Sequence, residues 1–173
     1  TRRAGVMEAA LAAGAHVIND VSALRHDPRS LELAARSGAP VVLMHAPGEA
    51  DDLHADGQYG DVVLDVFDWL AARRDAALAA GIARDKIILD PGIGFGKTGL
   101  QNMALLNHLD RLKAMGYPLL IGPSRKSFIG QVLDAGAGER DEGTAACIAV
   151  GIARGADIVR VHDVTTAVRV ARM

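Results

Sequence analysis

Asp90 closes the apolar run "KIILD", and Pro91 and Gly92 directly after it stop a strand and turn the carboxylate toward its end. A carboxylate at that place is costly to bury unpaired. It calls for a ligand or a cationic partner, with a turn-forming aspartate as the plainer alternative. In "IVRVHD" Arg160 and His162 alternate with apolar residues, and a period of two puts both on one side of a strand. A guanidinium forks onto phosphate oxygens while an imidazole donates a second bond, so the two make an anion site. An internal ion pair of Arg160 with Asp157 or Asp163 is the competing reading. "GPSRKSFIG", 122–130, sets Arg125 and Lys126 beside a small-residue loop after another apolar run, where the flanking Ser124 and Ser127 are able to bind an anion or a polar ring, with a charged loop facing solvent as the plainer alternative. Asn19 and Asp20 end "HVIND". The Asn19 amide offers donor and acceptor to a heterocycle edge, while Asp20 suits helix capping. Met44 and His45 end "VVLMH", where a lone histidine is read as structural. With no His-x-His or His/Cys cluster, the sequence presents no zinc site.

The glycine-rich stretch "DPGIGFGKTG", 90–99, invites two nucleotide readings and fails both. A P-loop requires glycine where Pro91 stands, and proline has no N–H to offer a phosphate. Gly94, Gly96 and Gly99 fit G-x-G-x-x-G, but the next strand-like run, "PLLIGPS", ends without the acid that would hold a ribose. Phe95 stands out inside that loop, because aromatic residues make up only 3% of the chain. It is the ring available for stacking on a flat ligand.

These groups need elements to position them, and a single unit recurs five times: a helical segment stopped by glycine, a short linker, then an apolar run ending in polar residues. Gly14, Gly38, Gly81, Gly116 and Gly155 each follow a helical pattern, where a residue able to take positive φ closes the helix. The spacing predicts helices near 3–13, 29–37, 60–80, 101–115, 141–154 and 164–172. Strands are predicted near 16–19, 41–45, 86–90, 118–122 and 158–162, rich in Val, Ile and Leu as a buried parallel sheet requires. Every strand delivers polar groups at its carboxyl end. Convergence of strand ends on one rim favours a barrel over a doubly wound sheet, which gathers ligand at one switch point. The predicted fold is therefore α/β, a partial (β/α)8 TIM barrel of about five parallel strands with flanking helices, forming one domain over 1–173. A complete barrel of eight units takes about 250 residues, so the expectation is the C-terminal part of a larger barrel, with open edges that favour self-association, such as a homodimer.

The totals set the remaining bounds. The net charge of -2 and pI near 6.3 give no electrostatic case for nucleic acid. No apolar run approaches membrane-spanning length and no leader pattern precedes the first helix, which makes a cytoplasmic enzyme the expectation. Cys147, the single cysteine, lies in the Ala-rich "TAACIAVGIA" and suits a small core side chain.

A carboxylate, an amide, a lysine, a ring and an Arg/His couple suit a ligand with a flat hydrogen-bonding ring at one end and phosphate at the other. A 2-amino-4-oxo pyrimidine presents adjacent N–H donors that one ionised carboxylate, Asp90, accepts in parallel.

In this order and spacing, "INDVSAL", "VVLMH", "LDPGIGFGK", "GPSRKSFIG" and "RVHDV" closely resemble the dihydropteroate synthase family, and the resemblance runs the length of the chain. It implies a (β/α)8 barrel of folate biosynthesis, a sulfonamide target, that joins 6-hydroxymethyl-7,8-dihydropterin pyrophosphate to p-aminobenzoate and releases pyrophosphate. Carried over by position, Asn19, Met44, Asp90, Gly122 and Lys126 would form the pterin site. Phe95, Ser124 and Lys126 would face p-aminobenzoate or a sulfonamide, and Arg160 and His162 would grip pyrophosphate, with Lys126, Arg160 and His162 as the catalytic set. The resemblance also implies Mg2+, held by an asparagine that falls before Thr1, together with a Thr-Arg-Pro loop and a further aspartate. No residue of this chain is assigned to the metal, and the expectation is weak pterin binding and poor turnover. Two rival readings are a methyltetrahydrofolate-binding domain of a corrinoid methyltransferase, which has no need of Ser124, Arg125 and Lys126, and a catalytically silent pterin-binding or self-associating module.

Overall fold

The computed structural model describes residues 1–48 and 57–173. Its helices are α1 (Ala4–Ala12), α2 (Ser30–Ser37), α3 (Val62–Ala79), α4 (Gly99–Asn107), α5 (Leu109–Lys113), α6 (Ser127–Leu133), α7 (Asp141–Ala153) and α8 (Val164–Arg172). Between them run β1 (Ile18–Asp20), β2 (Val41–Met44), β3 (Ile87–Asp90), β4 (Leu120–Ile121) and β5 (Ile158–Val159). The first three strands pair in parallel in the order β1-β2-β3, and β4 pairs in parallel with β5. A parallel bridge between Leu89 and Leu119, with Leu89 N–H donating to Pro118 O at 2.9 Å, joins the two groups.

The order along the sheet is thus the order along the chain. A doubly wound sheet reverses direction at a switch point, and no reversal occurs among these strands. The sheet winds one way only, as in a barrel wall, and its strand ends share one rim.

Local chemistry explains most boundaries. Asp61 caps α3 by accepting from Val63 and Leu64 N–H, and Val62, Val66, Leu70 and Ala77 form its buried stripe. Thr98 and Gln101 make a reciprocal capping box at the start of α4. The five helix-ending glycines all take positive φ, from 64° to 105°. Val41, Leu43, Ile87, Leu89, Leu119 and Ile121 put the sheet at the centre of the core. Cys147 packs against that core, and burial pushes its thiol up to about 11, which leaves it no thiolate for nucleophilic work.

Three expectations are corrected. The helix predicted over 101–115 is two helices, broken at His108 (φ -117°, ψ 29°). The bend lets Leu105, Leu106, Leu109 and Leu112 all reach the core. The loop expected after Arg125 contains α6, whose Phe128 and Ile129 are buried. Asp20 caps no helix; instead it holds a tight buried turn by accepting from Ser22 N–H, Ser22 Oγ–H and Leu24 N–H. That turn carries Ala23 and Leu24 at positive φ, a strained shape that its three bonds sustain.

Candidate active site

Strand register sets the site. Met44 lies opposite Asp90 across β2 and β3, and Leu120 and Ile121 lie opposite Ile158 and Val159 across β4 and β5. Continuing that register one and three steps beyond the strands sets Gly122 beside Arg160 and Ser124 beside His162. The contacts agree: Arg160 N–H donates to Ile121 O at 2.9 Å, and His162 N–H donates to Ser124 Oγ at 3.2 Å. Arg160 and His162 thus both lie beside the segment that follows β4, although β5 itself ends at Val159.

Asp90 is fully buried. Its Oδ1 accepts from Gly92 N–H at 2.8 Å. Its Oδ2 faces Arg160 Nη1 at 3.1 Å, close enough for an ion pair, yet no donor is aligned for a hydrogen bond to it. Arg160 Nη1 donates instead to Asn19 Oδ1 at 2.8 Å. The result is a buried carboxylate oxygen, charge-compensated but without a hydrogen bond, at the end of a strand on the shared rim. Burial raises the Asp90 carboxyl above its ordinary value, and the Arg160 charge opposes that rise. Asp157 and Asp163, the other partners considered for Arg160, are engaged elsewhere. Asp157 binds Lys113 and the Leu119 N–H, and Asp163 caps α8.

Phe95 and Lys126 form the second half of the site. Lys126 Nζ stands 4.1 Å from the centre of the Phe95 ring, and its stem lies so close over Gly94 that a Cβ there would come within 2.6 Å of Lys126 Cδ. Met44, fully buried, packs with Ala46, and Val21 and Phe95 pack against the two. Burial, then the Arg160 charge, lower the Lys126 ammonium from its ordinary value. Ser124 Oγ and His162 Nδ1 lie 2.8 Å apart. That oxygen also accepts from His162 N–H; when it gives its own proton to Nδ1, the neutral ring carries its proton on Nε2 as a donor.

Arg125, which the sequence set beside Lys126 at the same rim, turns away. It takes a left-handed φ of 56° and forks onto Asp141 at 3.0 and 3.4 Å. The reversal lets Ser124 and Lys126, on either side of it, face the site. Lys97 was missed as a site group. Its Nζ lies 3.0 Å from each of His45 Nδ1, Gly92 O and Phe95 O, and the signal was the lysine that closes "GFGK".

Gly122 underlies Arg160, and a methyl added there would fall 2.7 Å from Arg160 Nη2. Gly122→Ala is expected to push the guanidinium off Asp90 and cost about 1–3 kcal/mol, less than for a fully buried pair because Arg160 is partly exposed. A lowered urea midpoint at unchanged slope is the signature. An unaltered midpoint would show that the pair contributes nothing.

A one-way parallel α/β sheet whose strand ends gather a buried acid, cationic side chains and a ring defines a barrel-type small-molecule site. Residues 1–162 match the pterin binding enzyme family, and the chain belongs to that family. A dihydropteroate synthase of Synechocystis is 45% identical over 174 residues, covering 100% of this chain and 60% of that protein. The dihydropteroate synthase from Xanthomonas albilineans in complex with 7,8-dihydropteroate superposes with a TM-score of 0.93 at 42% identity, over 99% of this chain and 63% of the other. The Xanthomonas albilineans enzyme with 4-aminobenzoic acid gives a TM-score of 0.92 at 43% identity, over 99% and 60%. The chain thus spans about 60% of the length of the relatives it matches. Among the described residues no helix is long and apolar enough to cross a membrane.

Proposed function

We propose that this chain carries the substrate sites of a dihydropteroate synthase, a cytoplasmic transferase of folate biosynthesis and sulfonamide target. It would condense 6-hydroxymethyl-7,8-dihydropterin pyrophosphate with p-aminobenzoate to 7,8-dihydropteroate and pyrophosphate. The observation that carries the reading is Asp90 Oδ2, a buried and charge-compensated acceptor with no hydrogen bond. Such an oxygen is stabilised by a ligand that brings N–H donors, and the aminopyrimidinone edge of a pterin brings two in parallel. Asn19 and Lys126 supply donors around that ring, with Met44 and Gly122 lining the pocket. Phe95, Ser124 and Lys126 receive the arylamine.

Arg160 and His162 take the diphosphate. A guanidinium has five N–H donors, so Arg160 can keep its contacts to Asp90 and Asn19 and still turn others to phosphate oxygens, beside His162 Nε2–H. In this reading the C–O bond at the pterin methylene breaks first and its electron pair leaves with pyrophosphate. The arylamine nitrogen then bonds to that carbon and releases its proton to solvent. Fixed charge, more than a strong base, lowers such a barrier: the cations stabilise the departing anion and Asp90 the delocalised cation. The family resemblance also implies Mg2+. No residue of this chain is assigned to it, and among the described residues no three His, Cys, Asp or Glu side chains gather.

Self-association belongs to the same proposal, supported by the apolar face of Val132, Leu133 and Val150, which are 60%, 47% and 45% exposed. The deciding experiment titrates the pterin pyrophosphate calorimetrically, then adds p-aminobenzoate and follows dihydropteroate by chromatography. Saturable pterin binding is expected. Its absence at millimolar ligand would refute the assignment.

A further inference from the structure

Lys97 has no part in the steps above, yet its ammonium is fully committed. Gly92 O, Phe95 O and His45 Nδ1 each lie 3.0 Å from Nζ. An ammonium has three protons and no lone pair, so while Lys97 is charged every donor is used and His45 Nδ1 must be unprotonated. Two of the acceptors are the ends of one turn, Gly92 to Phe95, which Phe95 N–H closes onto Gly92 O at 3.1 Å. The third acceptor belongs to the residue after β2, next to Met44. One side chain thus fastens the turn to the sheet. Asn102 holds the same loop from α4, accepting from Gly94 N–H at 2.7 Å and donating to Lys97 O at 3.1 Å.

We propose that Lys97 is a positioning residue for the arylamine half of the site, fixing the turn that presents the Phe95 ring to Lys126. The inference rests on the pterin and arylamine reading above. Asp90 sits on β3 and is held by Arg160 as well as by the Gly92 N–H that opens the turn, so it depends less on the turn than Phe95, which lies at its far end. The charged groups around Lys97 are Asp90, which favours its proton, and Lys126, which opposes it. On the other side His45 packs edge-on against Trp69 with Arg25 above, and the Tyr59 ring lies 6.0 Å from Lys97 Nζ.

The fastening survives titration. Burial brings Lys97 down to about 7, and burial together with the Lys97 charge takes His45 down to about 3, so the imidazole gains no second proton near neutrality. Once Lys97 loses a proton, its amine keeps two donors for Gly92 O and Phe95 O. Its new lone pair accepts from His45 Nδ1–H, the other tautomer. The turn stays tied while the imidazole proton changes nitrogen.

Two probes test this: 6-hydroxymethylpterin, which has the pterin half alone, and 7,8-dihydropteroate, which has both halves. In Lys97→Met the affinity for dihydropteroate is expected to fall about tenfold while that for the pterin alone changes less than about threefold. Equal losses for the two probes, or no loss, overturn the proposal. Nitrogen-15 NMR supplies a ligand-free readout. The wild-type His45 proton should reside on Nε2 below a pH of about 7 and on Nδ1 above it, and in Lys97→Met that exchange should vanish and the Phe95 ring resonances should move. Unmoved Phe95 resonances defeat the positioning role whether or not a probe binds. Wild-type protein that binds neither probe counts against the pterin reading instead.

Discussion

Asp90→Asn is expected to weaken binding of both the bare pterin and its pyrophosphate by about 100-fold or more, because two charge-assisted bonds and the Arg160 ion pair are lost together. The amide cannot accept two parallel N–H donors without turning its own NH2 onto one of them. Acid should mimic the substitution. A protonated Asp90 also loses an acceptor, and burial holds its carboxyl above the ordinary carboxylate value. Pterin affinity should therefore fall with pH at values above about 4, where an exposed aspartate is still ionised. Stability moves the other way: a carboxyl whose folded value is raised binds protons more readily in the native state, so it favours folding as pH falls through that same window. Binding lost without unfolding separates Asp90 titration from acid denaturation. Calorimetry alongside circular dichroism reads both. Affinity that stays level down to the ordinary carboxylate range would remove Asp90 from the ligand contact.

Arg160→Ala is expected to discriminate between ligands where Asp90→Asn does not. The pyrophosphate-bearing pterin should lose about 100-fold in affinity with the forked contact, whereas the bare pterin should lose about tenfold or less. The smaller loss reflects an Asp90 deprived of its compensating charge, which raises its carboxyl further. Competition binding with the two ligands measures the ratio directly, and equal losses would place the diphosphate elsewhere. Arg160→Lys should recover the charge but not the fork, and so only part of the discrimination.

The backbone plan was legible where local chemistry is self-sufficient. Glycine after each helix and apolar runs before polar ends act within a few residues and leave their mark in composition. The break at His108 left none, since neither glycine nor proline marks it; packing of four leucines against the core decides it. Helix α6 was hidden by Gly130 and by its length of 7 residues.

Legibility of the site follows the same division. Asp90, Arg160 and His162 announce themselves as polar groups at strand ends, and the parallel register brings the first two to 3.1 Å. Asn19 bonds Arg160 across 141 positions of sequence, a contact between the ends of the two outermost strands that nothing local in the sequence marks. The outward turn of Arg125 depends on Asp141 and on the Thr144 hydroxyl that accepts its backbone N–H. Lys97 was visible as a residue of the glycine loop, but its role required knowing that three acceptors surround it.

In the proposed function a pterin ring meets Asp90 while its diphosphate meets Arg160 and His162 in one mouth. A crystal structure of the protein soaked with 6-hydroxymethylpterin pyrophosphate tests that most directly. The expected result is parallel ring N–H donors on the Asp90 carboxylate, Oδ2 included, with the diphosphate on the guanidinium and imidazole. Density for the ligand on the outer helices, or in the mouth with its ring turned away from Asp90, would contradict it.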